Sequence, residues 1–339
     1  MSAGTPSLDA GLLHTVKGPR VLHVRARRPG AVDEPTHGTM SCGRLARMRP
    51  ILRPGTHVLL RGPGELQVGL DPGSALVLPD SPTVRRTVRG LAAPAELDPG
   101  VDPSTVDLLA RHGQIVDERD LLPLLSDDDL APQTAAALAR ATGPTVSTAR
   151  AARRRWRTET HTFGHRAADA LRDHFLTLTR SAGIHESPTR RVATPDLGLL
   201  LGVGEPDREL LDGWTRAGTP YLLVRLTEGR ALLGPFVVPG STACLRCLDA
   251  HCTDADPAWP LLVKQYAAAS SHDRADGAPE PVDPLLASLA LAWAARDVAS
   301  YVDGMRPSTW SATIAVHPQL SRIETRSWLR HPACCCTWD

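Results

Sequence analysis

Along "RPGTHVLLRGPGELQVGLDPGSALVLPDSPTVRRTVRGL", starting at Arg53, the apolar residues gather into three short runs of strand character: His57–Arg61, Glu65–Leu70 and Ala75–Leu78. Gly-Pro-Gly and Asp-Pro-Gly separate them, and both are strong turn signals, because proline presets φ and glycine accepts left-handed backbone. The pattern predicts a three-stranded meander. Pro79-Asp80-Ser81-Pro82 then offers a helix start, with Val84, Val88 and Leu91 on one face at helical spacing. A second helix is expected over Ser104–His112, a short strand over Gln114–Val116 and a third helix over Glu118–Leu125, where Pro123 weakens the helical pattern.

Strands with three short helices, and "ARHGQIVDERDLLPLL" read as helix, turn, strand and helix, resemble a winged helix spanning 48–130. Residues 1–47 show no sustained period and are expected to be disordered. Part of that segment could precede the true start, since Met40 and Met48 both stand before better-patterned sequence. Residues 131–160 form a linker or helical segment. Its run "ARAARRRWRT" at 149–158 reads as a solvated helix or linker face, in preference to a nucleic-acid contact with Trp156 stacked on a base.

The remaining stretch, 161–339, alternates strand and helix. "GHRAADALRDHFLTLTRSAG" suits a helix, "LGLLLGV" at 197–203 a buried strand, and "DRELLDGWTRAG" at 207–218 a helix ending on Gly218. "PYLLVRLTEGRALLGPFVVPG" supplies two strands, Pro284–Val302 a long helix, and "STWSATIAVHP" a further strand. This order predicts an α/β layer structure.

Charge adds little by itself. Lys and Arg total 38 against 37 Asp and Glu, so no global field draws the chain to nucleic acid or to an anionic membrane. No run approaches the roughly 18 apolar residues of a spanning helix, and the N-terminal residues lack the apolar core of a secretory signal. The chain is read as cytoplasmic. In that compartment seven cysteines favour metal binding or catalysis over a disulfide framework.

Cys244 and Cys247 form C-x-x-C in "STACLRCLDAHC", read as a turn following the Val237-Val238 strand and Pro239-Gly240. Cys334 and Cys336 form a second pair in "HPACCCTW". Four thiolates suit a closed tetrahedral structural zinc site. A redox dithiol would need a thioredoxin-like context that the pattern lacks, and unpaired thiols are the third reading. Cys335, between two ligands, is expected to point away. Cys252, His251 and His331 are substitute ligands, and Trp259 in "DPAWP" is expected to anchor packing beside the zinc lobe.

"LLGPFVVPGSTACLRCLDAHCTDADPAWP" at 232–260, followed by "HPACCCTW", resembles the ThiF-like (E1-like superfamily) proteins of azole-modified (TOMM) peptide biosynthesis. These are the cyclodehydratase, or leader-peptide-binding, components. The segment from Arg53 likewise resembles their winged-helix precursor recognition element, so the likeness covers roughly 48–339. It implies zinc on Cys244, Cys247, Cys334 and Cys336. It also implies that a precursor leader peptide is bound as an added strand, in a groove made by Ala75, Leu76, Val77 and Leu78 with Glu118, Leu121 and Leu122. The implied partner is a YcaO-type cyclodehydratase, which uses ATP to form thiazoline or oxazoline rings while this chain presents the substrate. A homodimer is a further expected assembly.

Adenylating members of the superfamily cradle ATP with a glycine-rich loop and use a lysine near the phosphates. Here "HTFGHRAADAL" holds only Gly164 at the corresponding place, and no lysine lies between Lys17 and Lys264. "LGVGEPDREL" contains a G-x-G, but Glu205 and Asp207 follow it, so it reads as a strand-to-helix turn. ATP is not expected on this chain, and no catalytic residue is assigned. The alternatives are an E1-like adenylating enzyme and a zinc-stabilised winged-helix DNA-binding regulator.

Overall fold

The computed structural model describes residues 48–92, 101–186, 195–272 and 274–337; the expectations for 1–47 lie outside them. The chain divides into two compact units, Met1–Arg119 and Asp120–Asp339.

In the first unit β1 (Pro50–Leu52) precedes the meander of β2 (Val58–Gly62), β3 (Glu65–Val68) and β4 (Leu76–Pro79). The three meander strands form an antiparallel sheet in the order β2-β3-β4. Helices α1 (Pro82–Ala92) and α2 (Pro103–Arg111) follow, and β5 (Ile115–Asp117) pairs antiparallel with β1. Leu66 and Val68 alternate on β3 with half-buried neighbours, as expected of a strand with one face on a core. They pack with Leu76 and Leu78 of β4 against Val84, Val88 and Leu91 of α1. Helix α2 starts where Asp102 accepts hydrogen bonds from the Ser104 and Thr105 amides. The meander and both helices lie within a residue or two of the predicted spans. Strand β1, only three residues long, gave no readable pattern.

Helix α3 (Glu118–Leu125) straddles the division between the units. In the second unit come α4 (Pro132–Thr142), α5 (Val146–Arg155), β6 (Thr158–Gly164), α6 (Ala168–Ser181), β7 (Leu197–Val203), α7 (Arg208–Arg216), β8 (Tyr221–Thr227) and β9 (Arg230–Val237). They are followed by α8 (Leu245–Ala255), α9 (Trp259–Ala269), α10 (Pro284–Val302), β10 (Ala312–Val316) and β11 (Ile323–Ser327). One mixed sheet runs in the order β11-β10-β9-β8-β7-β6. Strands β6, β7 and β8 are parallel, and β9 to β11 complete the sheet antiparallel. Strands β7 and β8 are buried along their whole length, in keeping with their unbroken apolar runs.

Helices α6 and α10 cover one face, and Phe175, Leu286, Ala290, Leu291 and Val298 meet Leu199, Leu201 and Val224 there. By length and mean hydropathy of 1.3, α10 could cross a membrane. Here it is a core helix, and its buried Asp297 accepts hydrogen bonds from the backbone and hydroxyl groups of Ser308 and Thr309.

The arginine run at 149–158 forms helix α5, but its face is not simply solvated. Arg150 and Arg153 are only 6% and 3% exposed. Arg153 makes a two-pronged pair with buried Asp303 at 2.6 and 2.8 Å, and Arg150 Nε bonds Asp127 at 2.7 Å. Each buried guanidinium faces a carboxylate, which offsets the cost of taking its charge out of water.

Candidate functional site

The turn after β9 leads straight into α8, which the sequence pattern did not predict as a helix. Cys244 is the residue that caps α8 and Cys247 lies in its first turn; the Cys244 carbonyl accepts hydrogen bonds from the Cys247 and Leu248 amides. The C-x-x-C pair therefore sits at a helix N-terminus, where amide dipoles favour thiolate. From the other side a knuckle carries Cys334 and Cys336 inward. His331 Nε2 bonds Asp254 of α8 at 2.9 Å, its Nδ1 accepts the Ala333 amide, and its carbonyl accepts the Cys334 amide. Arg330 ties the same knuckle to the carbonyls of Gly240 and Cys336.

All four sulfurs lie within 4.8 Å of one another and all four residues are buried. The separations are 3.8 Å for Cys244–Cys247, 3.6 Å for Cys244–Cys334 and 3.3 Å for Cys247–Cys336. A tetrahedral ion with sulfur at about 2.3 Å requires sulfurs about 3.8 Å apart, whereas a disulfide requires about 2.05 Å. The spacing fits the ion. As thiols the group would be strained electrostatically. Cys247 is pushed down to about 4, first by the hydrogen bond from Cys244, with the His331 amide assisting. Cys244 is pushed up by that same hydrogen bond and by burial, and burial takes Cys334 up to about 12. One thiolate is stabilised only while its neighbours keep their protons, and a divalent cation removes that conflict.

Cys335 is exposed and outside the group, as the spacing implied. Cys252 stands apart from it as well. His251 and His331 are not among the thiol ligands; with Asp254 they make a separate cluster, in which both ring nitrogens of His331 already have partners. Sequence reasoning held these histidines as spare ligands, and their structural role, bracing the knuckle that carries Cys334, was not foreseen.

The residues assigned to a peptide groove are placed as follows. Leu76, Val77 and Leu78 lie on β4, Ala75 just precedes it, and all four are buried. Among the described residues β4 pairs only with β3, so its outer backbone edge has no strand partner. On α3, Leu121 is buried, Glu118 is half-buried and Leu122 is 42% exposed.

At the end of β6, Gly164 has φ +74°, and a Cβ there would stand 1.8 Å from the Val203 carbonyl oxygen. Only glycine fits. The His165 amide points to that same oxygen, and α6 begins at Ala168 without a side-chain cap.

Neither a protein-family model nor a curated protein matches the sequence. Solved structures match it by fold. The heterocyclase TruD superposes with a TM-score of 0.64 at 18% identity, covering 86% of this chain and 43% of its own. A heterocyclase in complex with substrate and cofactor gives 0.63 at 18%, covering 85% and 39%. E. coli MccB with ATP gives 0.57 at 14%, covering 85% of this chain and 99% of its own. The chain shares the fold of these heterocyclases and of MccB. At these identities the likeness establishes fold alone. The chain spans about two fifths of the length of the heterocyclases and nearly all of MccB.

Proposed function

We propose that this chain binds the leader of a ribosomally made precursor peptide and presents it to a separate YcaO-type cyclodehydratase for thiazoline or oxazoline formation. The observation that carries this reading is the outer edge of β4, unpaired among the described residues, in a chain that shares its fold with a heterocyclase described with its substrate and cofactor. MccB, which shares the fold at nearly full length, has been solved with the peptide MccA, so peptide binding is compatible with this architecture. In this reading the first unit is a winged-helix-like recognition module. The leader adds as a strand to the open edge of β4, main-chain hydrogen bonds supplying affinity and the neighbouring side chains selectivity. The second unit, with zinc on Cys244, Cys247, Cys334 and Cys336, is a platform without chemistry of its own.

The test is fluorescence anisotropy of the full chain with a labelled leader from a precursor encoded beside it, followed by addition of the neighbouring cyclodehydratase. Saturable leader binding and leader-dependent ring formation are expected. No binding at high micromolar protein would overturn the reading. The MccB likeness favours a second one, an adenylating enzyme. Against it stands the single-glycine turn at Gly164, whose adjoining amide points to the Val203 carbonyl. Pyrophosphate exchange dependent on this chain would decide for adenylation.

A further inference from the structure

The second unit holds a cavity of about 320 Å³ between the sheet and the helix pair α8–α9, within the usual size range of small-molecule sites. One part of its wall is apolar, with Leu248, Trp259, Tyr266 and Trp328. The rest carries charge in an unbalanced arrangement.

Four arginines and three carboxylates line the cavity, which leaves one positive charge in excess. Arg208 is fully employed: Asp249 takes its Nε and Nη2 at 2.9 and 3.0 Å, and Glu205 and the Pro206 carbonyl take Nη1. Arg225, on β8, is 7% exposed and has a single partner, Glu205 at 2.6 Å, a carboxylate it shares with Arg208. Its Nε is buried with no hydrogen-bond partner. Arg326 on β11 lies 3.8 Å over the Trp328 ring and, among the described residues, forms no ion pair with a carboxylate. A buried guanidinium with half a counterion is costly, and here it borders an aromatic-walled cavity with a second free guanidinium on the rim.

We infer that this cavity binds a small carboxylic acid with an apolar body, its carboxylate held by Arg225 and Arg326 and its body against Trp328 and Trp259. One unit of excess charge matches a monoanion. A triphosphate would bring about four negative charges against Glu205 and Asp249 on the same wall. The acid is either a free metabolite or a peptide bearing the same group, and the inference stands independently of leader binding, which is assigned to the other unit.

The test uses the full, metal-loaded chain in isothermal titration. The probes are 3-phenylpropionate, for a free acid, and N-acetyl-L-phenylalanine, for a peptide-borne one, each beside its primary amide. At least one acid saturates, its amide binds at least about tenfold more weakly, and Arg326→Gln lowers acid affinity about tenfold, as loss of a charge-assisted hydrogen bond requires. Arg326 is exposed and its stacking partner is the Trp328 ring, so its replacement lowers the thermal midpoint by no more than about 4 °C. Leu262→Trp, on the half-exposed rim of the cavity, blocks binding of the acid. Preference for one acid over the other assigns the source. The inference is overturned if neither acid saturates by about 10 mM, if amide and acid bind alike, if Arg326→Gln binds like the parent, or if ATP or inorganic phosphate binds more tightly than both acids.

Discussion

Replacing Cys334 by Ser, or stripping the metal with a chelator, opens a clip between positions 90 residues apart. If the clip acts on the unfolded chain as a cross-link does, closing a loop of that length is worth about 4–5 kcal/mol. Metal–thiolate sites of this kind hold with about 10–16 kcal/mol, so the clip survives until the unit itself unfolds. For a domain the size of the second unit, each kcal/mol moves the midpoint by about 2–4 °C, and the loss should lower it by about 8–20 °C. Scanning calorimetry with elemental analysis of the same samples provides the assay. The parent and Cys335→Ser should carry one zinc per chain and melt together, while Cys334→Ser and Cys336→Ser should lose metal and melt early. If Cys335→Ser loses zinc as readily as Cys334→Ser, or if chelation leaves the midpoint within about 2 °C, the four-sulfur assignment is wrong.

Arg153→Met leaves Asp303 charged and buried, and urea denaturation should show a loss of about 3–5 kcal/mol; a loss below about 1 kcal/mol would contradict the ion-pair reading. A methyl group on Gly202 would stand 2.5 Å from the Phe163 ring, so Gly202→Ala should cost about 1–3 kcal/mol, part of it recovered by Phe163→Leu. The hydrogen bond from Arg150 holds the Asp127 carboxyl below its ordinary 3.8. Its stabilisation is therefore present above that value and is lost as pH falls through the lowered one, and Asp127→Asn should flatten the acid limb of a stability–pH profile; an unchanged limb would count against the pairing.

What could be read in the sequence depended on how each element buries itself. The meander was legible because its turns carry Gly-Pro-Gly and Asp-Pro-Gly, and β7 and β8 because their runs are apolar throughout. Strand β6 was missed: its inward positions are Thr158 and Thr160 along with Phe163, and buried threonines look polar in a one-dimensional pattern. Strand β11 is exposed along its whole length and has no apolar period to detect. Helix α8 was read as a turn because Cys244, not a familiar capping residue, stands at its start. The thiol pairs could be matched by spacing, but the excess charge beside Arg225 could not. Its neutralising partner, Glu205, lies 20 residues away and is shared, a fact of three-dimensional placement.

The four-sulfur cluster also has a consequence for the order of folding. Between Cys247 and Cys334 the chain must lay down α8, α9, α10, β10 and β11, and β10 must find β9 before the knuckle can reach α8. The C-x-x-C pair alone offers two donors, too few for a closed tetrahedral site. If the cluster holds zinc, its high-affinity uptake comes after this long-range assembly and does not nucleate it. Zinc occupancy would then be a record of completed folding, and a chain without the metal would have a finished sheet and an unfastened end.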